Sequence, residues 1–275
     1  MDYLEYYNLS QEPFSVMPLS KFYFHSEQHD KAMEKLHFAI QTMKGLAVVV
    51  GAIGTGKTTL ARRLLDSLPE SDFEASLLVI IHSDVDANWL LKRIASQLGV
   101  VEPADNRVDI LGQLYRRLEE IDEAGKKAIV LIDEAQMLQK RELMEEFRGL
   151  LNLELPDKKL ISFVFFGLPE LDDCLRRDPP LAQRIAVKHT LHPFARQTTG
   201  EYIEHRLQLG GREQALFTAE AMDVIHHFSD GVPRLINVIC DNALFEGYVR
   251  KEPFIDDDII NSVAVDLGLA TLTTD

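Results

Sequence analysis

The sequence has few cysteines. Cys174 and Cys240 are the only two, and they lie far apart without forming a C-x-x-C pair. Nothing in this pattern predicts a disulfide scaffold or a zinc site, because both need cysteines at characteristic spacings. A reducing compartment such as the cytoplasm fits this cysteine usage.

Long apolar runs are also missing. The longest, LAVVV from Leu46 and LISFVFF from Leu160, have the length of a strand, whereas a membrane helix needs about 20 apolar residues. The beginning of the sequence, MDYLEYYNLS, is acidic and lacks the basic and then apolar layout of a signal peptide. We therefore expect a cytoplasmic protein with no membrane span.

Basic residues are in the minority. There are 29 Lys and Arg against 44 Asp and Glu, which gives a formal net charge of -15. A broad nucleic-acid-binding surface needs clustered Lys and Arg, so nucleic acid is not a favoured partner, although a local basic patch is compatible with this charge. The 275 residues suffice for one large or two modest domains with a core.

The most informative pattern is LAVVVGAIGTGKTTL, residues 46–60. A β-branched run predicts a buried strand, the spacing G-x-x-x-x-G-K-T follows it, and a leucine-rich helix comes next. Glycines let the loop curl until backbone N–H groups face phosphate oxygens, and the helix N-terminus adds positive potential. We predict that this loop binds a nucleoside triphosphate. The predicted binding residues are Gly51, Ala52, Ile53, Gly54, Thr55, Gly56, Lys57, Thr58 and Thr59.

Charged and hydroxyl side chains complete the predicted chemistry. Lys57 can reach the β- and γ-phosphates, and the Thr58 hydroxyl can ligate Mg²⁺. In AIVLIDEAQ, residues 128–136, an apolar strand pattern ends in Asp133 and Glu134. Asp133 can hold the Mg²⁺ hydration shell opposite Thr58, and Glu134 can polarise the water that attacks the γ-phosphate. ATP and Mg²⁺ are therefore the predicted ligands.

Strand and helix patterns alternate up to residue 191. The predicted strands are 47–50, 77–81, 128–132, 160–167 and 184–191. This alternation predicts an α/β fold, a P-loop NTPase core in which a parallel five-stranded sheet lies between helices. From His192 onward only helical patterns follow. We predict a lead-in and nucleotide-binding core at 1–192, a helical lid domain at 193–268 and a flexible tail at 269–275.

Two features leave alternatives open. The first 28 residues are rich in aromatic side chains, which either pack against the purine ring or clamp this segment onto the edge of the domain. His189 lies in the fifth predicted strand, where a histidine on the face of the sheet is favoured over a ligand.

Two arginines are candidates for contact with the γ-phosphate. Arg234 follows G-V-P at the start of a helix, where a cation can fold back over the nucleotide. Arg184 directly precedes the fifth strand, where it can reach the site of a neighbouring subunit and act as an arginine finger. Arg176 and Arg177 are weaker candidates for that role. For each of them the alternative is a surface arginine, and a finger supplied in trans requires a ring or helical oligomer.

Several motifs together resemble the AAA+ ATPases of the ExeA/GspA type, bacterial ATPases of the general secretion pathway to which MshM-like pilus-biogenesis proteins are similar. The resemblance covers about residues 3–268. Its motifs are YNLSQEPFS, GAIGTGKTTLARRLL, IVLIDEAQ, GLPEL, LAQRI, EYIEHRL, LFTAEA and GVPRLINVICDNALFEGY. The resemblance implies a homo-oligomer in which Arg184 is the finger and Arg234 the lid sensor. The residues it places in nucleotide chemistry are Lys57, Thr58, Asp133 and Glu134.

Two positions depart from the pattern of that family. Leu168 stands in GLPEL where the family usually has Gln, and leucine cannot hydrogen-bond the γ-phosphate or water. Ser83 stands where the family often has Asn, and serine is a weaker tether for Glu134. The full-length secretion proteins also carry a transmembrane helix and a periplasmic peptidoglycan-binding domain. Neither is found in this sequence, so peptidoglycan binding is not expected.

The favoured hypothesis is a Mg-dependent ATPase that powers or regulates assembly of a secretion, pilus or polysaccharide-export machine. Its turnover is expected to be weak without a protein partner from that machine, which would also hold it peripherally at the inner membrane. The alternatives are a DNA-associated helper ATPase of the transposition-regulator type and a nucleotide-dependent scaffold with little turnover. Leu168 favours the scaffold slightly, and the acidic composition disfavours the DNA-associated helper.

Overall fold

The computed structural model describes residues 2–17 and 20–269. The described residues fall into two units, called here the α/β unit and the helical unit. The α/β unit comprises 27–53 and 57–191, and the helical unit comprises the described part of 2–26 together with 54–56 and 192–269. Residues 270–275 of the predicted tail lie outside the described residues. The domain boundaries drawn from the sequence stay a prediction.

The helices and strands are numbered in chain order. They are α1 Tyr3–Tyr6, α2 Glu27–Gln41, β1 Leu46–Gly51, α3 Lys57–Asp66, β2 Phe73–Val79, α4 Ala87–Gln97, α5 Arg107–Glu123, β3 Lys127–Asp133, α6 Arg141–Leu150, β4 Glu154–Leu155, β5 Lys158–Lys159, β6 Ile161–Gly167, α7 Glu170–Arg176, α8 Pro179–Ala182, β7 Ile185–Leu191, α9 Arg196–Leu209, α10 Ala219–Ser229, α11 Pro233–Arg250 and α12 Asp257–Asp266. No helix among the described residues is long and apolar enough to cross a membrane.

A parallel sheet of five strands forms the centre of the α/β unit, in the order β2-β3-β6-β1-β7. The three inner strands are almost continuously apolar and buried, as expected when helices cover both faces of a parallel sheet. The predicted α/β fold with a parallel five-stranded sheet is confirmed. The short antiparallel pair of β4 and β5 was not predicted.

The outer strands of the sheet are less buried than the inner ones. The sequence predicted the second strand at 77–81, and this range is wrong because β2 runs from Phe73 to Val79. Ile81 is 77% exposed and lies beyond the strand. Since β2 has a neighbour on one side only, its first half, FEAS, tolerates polar side chains and shows no apolar run. At the other edge, His189 of β7 lies half-buried on one face of the sheet, opposite Val49.

The topology brings three strand ends together. In a parallel sheet, the carboxyl ends of neighbouring strands lie at the same edge. Strand β6 pairs with β1 on one side and with β3 on the other, so the ends of these strands at Gly51, Asp133 and Gly167 are neighbours. The loops that follow these residues therefore meet at one edge of the sheet.

Aromatic residues of the N-terminal segment belong to the core of the helical unit. Tyr7 and Phe14 are 1% exposed and pack among side chains of α9, α10, α11 and α12. The Tyr7 hydroxyl donates to the Glu252 carbonyl, and the buried Arg206 guanidinium donates to the carbonyls of Pro13 and Ser15. These contacts bury the aromatic rings in this core.

The turn before α11 depends on a glycine. Gly231 has a left-handed backbone with φ +72°, and a Cβ at this position would lie 2.0 Å from the Phe194 carbonyl oxygen. This close approach accompanies a hydrogen bond of 2.7 Å from the Phe194 amide to the Gly231 carbonyl. Only a residue without a Cβ fits, so Gly231 positions the start of α11 against the chain that enters the helical unit.

Candidate nucleotide site

The glycine-rich loop joins β1 to α3 and adopts a backbone that its glycines permit. Gly54 and Gly56 have φ values of +80° and +99°, which side chains other than glycine rarely adopt. Helix α3 starts at Lys57, so its first turn of backbone N–H groups opens toward the loop. The predicted binding residues 51–59 thus form the curled loop and helix N-terminus that suit a phosphate group.

Lys57 is held over the loop by the loop itself. Its ammonium group donates to the carbonyls of Gly51 and Ala52, both at 2.9 Å, and the side chain is 6% exposed. A buried ammonium group needs partners for its charge and donors. The two carbonyls fix the cation beside the first residues of the loop, where it can meet phosphate oxygens.

The start of α3 and the end of β3 are joined by a contact between Thr58 and Asp133. The Thr58 hydroxyl donates to Asp133 Oδ2 at 2.7 Å, and the Glu134 amide donates to Asp133 Oδ1 at 3.0 Å. Asp133 is 1% exposed, and burial raises the pKa of its carboxyl, although these two hydrogen bonds oppose the rise. Two residues predicted to bind one metal ion are therefore adjacent.

The donor set at this position suits Mg²⁺. A hydroxyl and a carboxylate supply oxygen ligands, and Mg²⁺ binds to proteins through one or two such groups together with phosphates and water. Within the described part of the chain, no group of three or more His, Cys, Asp or Glu is arranged to hold a metal ion. A metal ion bound by Thr58 and Asp133 would therefore take its remaining ligands from the phosphates of a nucleotide and from water.

Glu134 follows β3 directly and has an unusual backbone. It is left-handed, with φ 57° and ψ 35°, a conformation that costs a non-glycine residue on the order of 1 kcal/mol. Its Oε2 accepts a hydrogen bond of 2.6 Å from the amide nitrogen of Gln136. The conformation turns the chain sharply after Asp133 and gives the two acids different surroundings.

Gln136 is a residue that the sequence analysis missed. It is 4% exposed, and its amide oxygen accepts from the Leu168 amide at 3.0 Å, directly after β6. Ser83, the tether expected from the resemblance, is exposed. The only sequence signal for Gln136 was its place in AIVLIDEAQ, since a contact across 32 residues has no periodicity that could reveal it.

The finger candidates lie between β6 and β7. The Arg184 guanidinium is half-buried and donates to the Arg148 carbonyl of α6 at 2.7 Å. Arg176 is exposed and pairs with Asp173 one turn earlier on α7, while Arg177 is exposed at the end of that helix. A finger supplied in trans would act on a neighbouring subunit, so the role of Arg184 stays a prediction.

Arg234 is the second residue of α11 and has an exposed side chain. Its amide donates to the Gly54 carbonyl at 3.3 Å, and both residues belong to the helical unit. A Cβ on Gly54 would lie 2.8 Å from Val232 Cγ1 and 2.9 Å from Arg234 Cβ, so glycine is needed for this close packing. The start of α11 is thus packed against Gly54 of the glycine-rich loop.

A glycine-rich loop between a strand and a helix, with an acidic pair at the end of a nearby strand of the same sheet, defines a P-loop NTPase. Residues 40–175 match the family described as "AAA domain". The chain is also 38% identical over 251 residues to General secretion pathway protein A of Aeromonas hydrophila, which covers 90% of this chain and 45% of that protein. The chain therefore belongs to the AAA+ P-loop NTPases of the ExeA/GspA type, and it spans somewhat less than half the length of this relative.

Solved structures support the same fold. The ORC2 protein of Aeropyrum pernix, solved in ADPNP-ADP complexes, matches with a TM-score of 0.69 at 15% identity, over 93% of this chain and 71% of that one. A Walker-type ATPase of Pyrococcus abyssi matches with a TM-score of 0.66 at 18% identity, over 93% of this chain and 76% of that one. At such identities the likeness shows the fold alone.

Proposed function

We propose that the chain is a Mg-dependent ATPase that works in a homo-oligomer and serves the assembly of a secretion, pilus or polysaccharide-export machine. The observation that carries the enzymatic part is the 2.7 Å hydrogen bond between Thr58 and Asp133, beside Lys57 and Glu134. It brings a metal-binding hydroxyl and carboxylate together at the glycine-rich loop. The AAA+ fold class binds nucleotides, and this arrangement supports ATP with Mg²⁺ as the ligands.

Each residue of the site has a role in this proposal. The loop amides and Lys57 bind the β- and γ-phosphates, while Thr58 and Asp133 hold the metal. When bound, Mg²⁺ neutralises part of the charge that develops on the phosphate oxygens. Glu134 accepts a proton from the attacking water as a general base, a role that typically contributes about 10² to 10⁴ in rate.

Two arginines complete the proposed mechanism. Arg234, at the start of α11, would contact the γ-phosphate as a lid sensor, and the packing of α11 against Gly54 supports this role. Arg184 would be supplied in trans by a neighbouring subunit and stabilise charge in the transition state. Its half-buried guanidinium donates a hydrogen bond to the Arg148 carbonyl, which restricts the orientation of the side chain and supports this role. A ring or helical homo-oligomer follows from a finger in trans.

The biological role rests on the relative from Aeromonas hydrophila, whose name places that protein in general secretion. We propose by analogy that this chain acts on a protein partner of a similar machine and associates with the inner membrane through that partner. The net charge of -15 disfavours DNA as the partner.

Phosphate release from ATP by the purified chain tests the proposal. Release should require Mg²⁺, stop on addition of EDTA and stay unchanged on addition of double-stranded DNA. A stimulation by DNA would favour the helper ATPase of the transposition-regulator type. Tight ATP binding without release, in the presence of the partner proteins, would favour the scaffold instead.

A further inference from the structure

Gln136 links the ends of two neighbouring strands. Its amide nitrogen donates to Glu134 Oε2 at 2.6 Å, and its amide oxygen accepts from the Leu168 amide at 3.0 Å. Glu134 follows β3, and Leu168 follows β6, which pairs with β3 in the sheet. The buried side chain of Gln136 therefore forms a bridge from the main chain after β6 to the carboxylate after β3.

The two contacts select one orientation of the Gln136 amide. A rotation by 180° would place its oxygen against the carboxylate of Glu134 and its NH₂ group against the N–H of Leu168. Both new pairs would be repulsive, so only the observed orientation satisfies the donor and the acceptor together. The bond to the carboxylate is charge-assisted and therefore stronger than a bond between neutral groups.

Gly167 leaves room for this bridge. A Cβ at Gly167 would lie 3.1 Å from the Gln136 amide oxygen and 2.8 Å from Leu171 Cδ2. A side chain there would crowd the bridging oxygen. Gly167, the last residue of β6, thus leaves space for the Gln136 amide, and Leu168, the next residue, supplies the main-chain donor.

We propose that Gln136 is a positioning residue that holds the Glu134 carboxylate in the orientation needed for general-base catalysis. This inference rests on the proposed ATPase function. A glutamate side chain has several rotamers, and a general base works only within hydrogen-bond reach of the water. The bridge removes this freedom, and it does so through the main chain of Leu168, whose side chain can neither donate nor accept. The end of β6 thereby controls the position of the base.

The test compares Gln136→Met and Gln136→Glu with the control Gln139→Met. Methionine has a similar length and no amide, while glutamate keeps an acceptor for the Leu168 amide and loses the donor toward Glu134. Gln139 is exposed in the same loop, so its substitution makes the same chemical change away from the bridge. Each substitution is made in the parent and in Glu134→Gln, and kcat, KM and the ATP Kd are measured, with single turnover for the slow variants.

In the parent, both Gln136 variants should lower kcat, by up to about 100-fold, the loss that a displacement of about 1 Å produces. The ATP Kd and KM should stay close to the parent values, and Gln139→Met should change none of them. In Glu134→Gln, adding Gln136→Met should lower kcat no further, because Gln136 acts through Glu134.

Three outcomes would overturn the inference. The first is turnover of Gln136→Met at the parent rate. The second is a fall in kcat on adding Gln136→Met to Glu134→Gln that is as large as the fall in the parent. The third is a loss of ATP affinity or of folding that accounts for the fall in kcat in both Gln136 variants. A different observation would show that the proposed function is wrong. If Glu134→Gln hydrolyses ATP at the parent rate, the assignment of the base is wrong whatever the Gln136 variants do.

Discussion

The Thr58 hydroxyl donates a hydrogen bond of 2.7 Å to Asp133 Oδ2, across 75 residues of sequence. Thr58 lies in the first turn of α3, and Asp133 is the last residue of β3, two strands away from β1. The fold determines this distance, because the sheet and the packing of α3 bring together two side chains that are 75 residues apart in sequence. A metal ion ligated by both groups would join the two halves of the site.

Removal of the loop cation should abolish ATP binding. In Lys57→Ala, the ammonium group that the carbonyls of Gly51 and Ala52 hold in place is lost, and the phosphates lose their positively charged partner. Binding of a fluorescent ATP analogue measures the effect. Lys44→Ala, which removes an exposed lysine just before β1, is the control and should bind like the parent. Near-normal affinity of Lys57→Ala would refute the assignment of the loop.

The buried carboxyl of Asp133 should make stability depend on pH. Burial raises its pKa above the ordinary value of 3.8, so the folded protein binds this proton more tightly than the unfolded chain. The corresponding stabilisation is complete below pH 3.8 and is lost as the pH rises through the folded pKa. In Asp133→Asn, the side chain at this position has no carboxyl proton that titrates.

Urea unfolding of the parent and of Asp133→Asn across this pH range provides the measurement. The free energy of unfolding of the parent, minus that of the variant, should fall with rising pH. Its slope is at most about 1.4 kcal/mol per pH unit, since one proton is involved. Carboxyl groups that do not interact with Asp133 cancel in this difference, and Glu134 is the neighbouring carboxylate that interacts with it. A difference that is constant or grows with pH would show that burial does not raise this pKa.

The turn before α11 should tolerate no side chain. Gly231→Ala places a methyl group against the Phe194 carbonyl oxygen, whereas Gly268→Ala meets no atom within 4 Å at a similar φ of +68°. Both variants pay the left-handed backbone strain, so their difference isolates the clash. Gly231→Ala should be less stable than Gly268→Ala by more than about 1 kcal/mol in urea unfolding. Equal stabilities would mean that the backbone there relaxes freely.

Catalysis with a finger in trans should be restored by mixing subunits. Arg184→Ala should bind ATP normally and hydrolyse it poorly, since a finger is worth on the order of 10³ to 10⁵ in rate in other P-loop enzymes. Glu134→Gln subunits retain the finger and Arg184→Ala subunits retain the base, so their mixture should regain activity. Arg116→Ala removes an exposed arginine and is the control. A finger that acts within its own subunit would give no rescue.

Local patterns predicted much of this molecule. The strand, loop and helix around Lys57 form one contiguous segment, and the two acids at the end of β3 lie in another, so local spacing predicted each of them. The edge strand β2 was placed too late, because half of it is polar and half-buried. The bridge through Gln136 was not predictable, since it depends on the pairing of β3 with β6 and on a main-chain donor at Leu168.

The packing of the N-terminal segment could not be predicted from the sequence either. Tyr7 and Phe14 lie in one core with residues more than 180 positions later in the chain, and no periodicity connects such distant segments. Aromatic content alone could not decide between a contact with a purine ring and a contact with protein. Long-range packing decides such cases, and it is visible only in the fold.

The direct test of the central claim, ATP hydrolysis at Glu134, is phosphate release by Glu134→Gln under conditions where its ATP binding is measured in parallel. The amide is close to isosteric with the carboxylate and cannot act as a base, so ATP should stay bound while hydrolysis falls by at least about 10²-fold. Glu123→Gln changes an exposed glutamate at the end of α5 and should leave both quantities unchanged. Hydrolysis by Glu134→Gln at the parent rate, with ATP bound, would contradict the account.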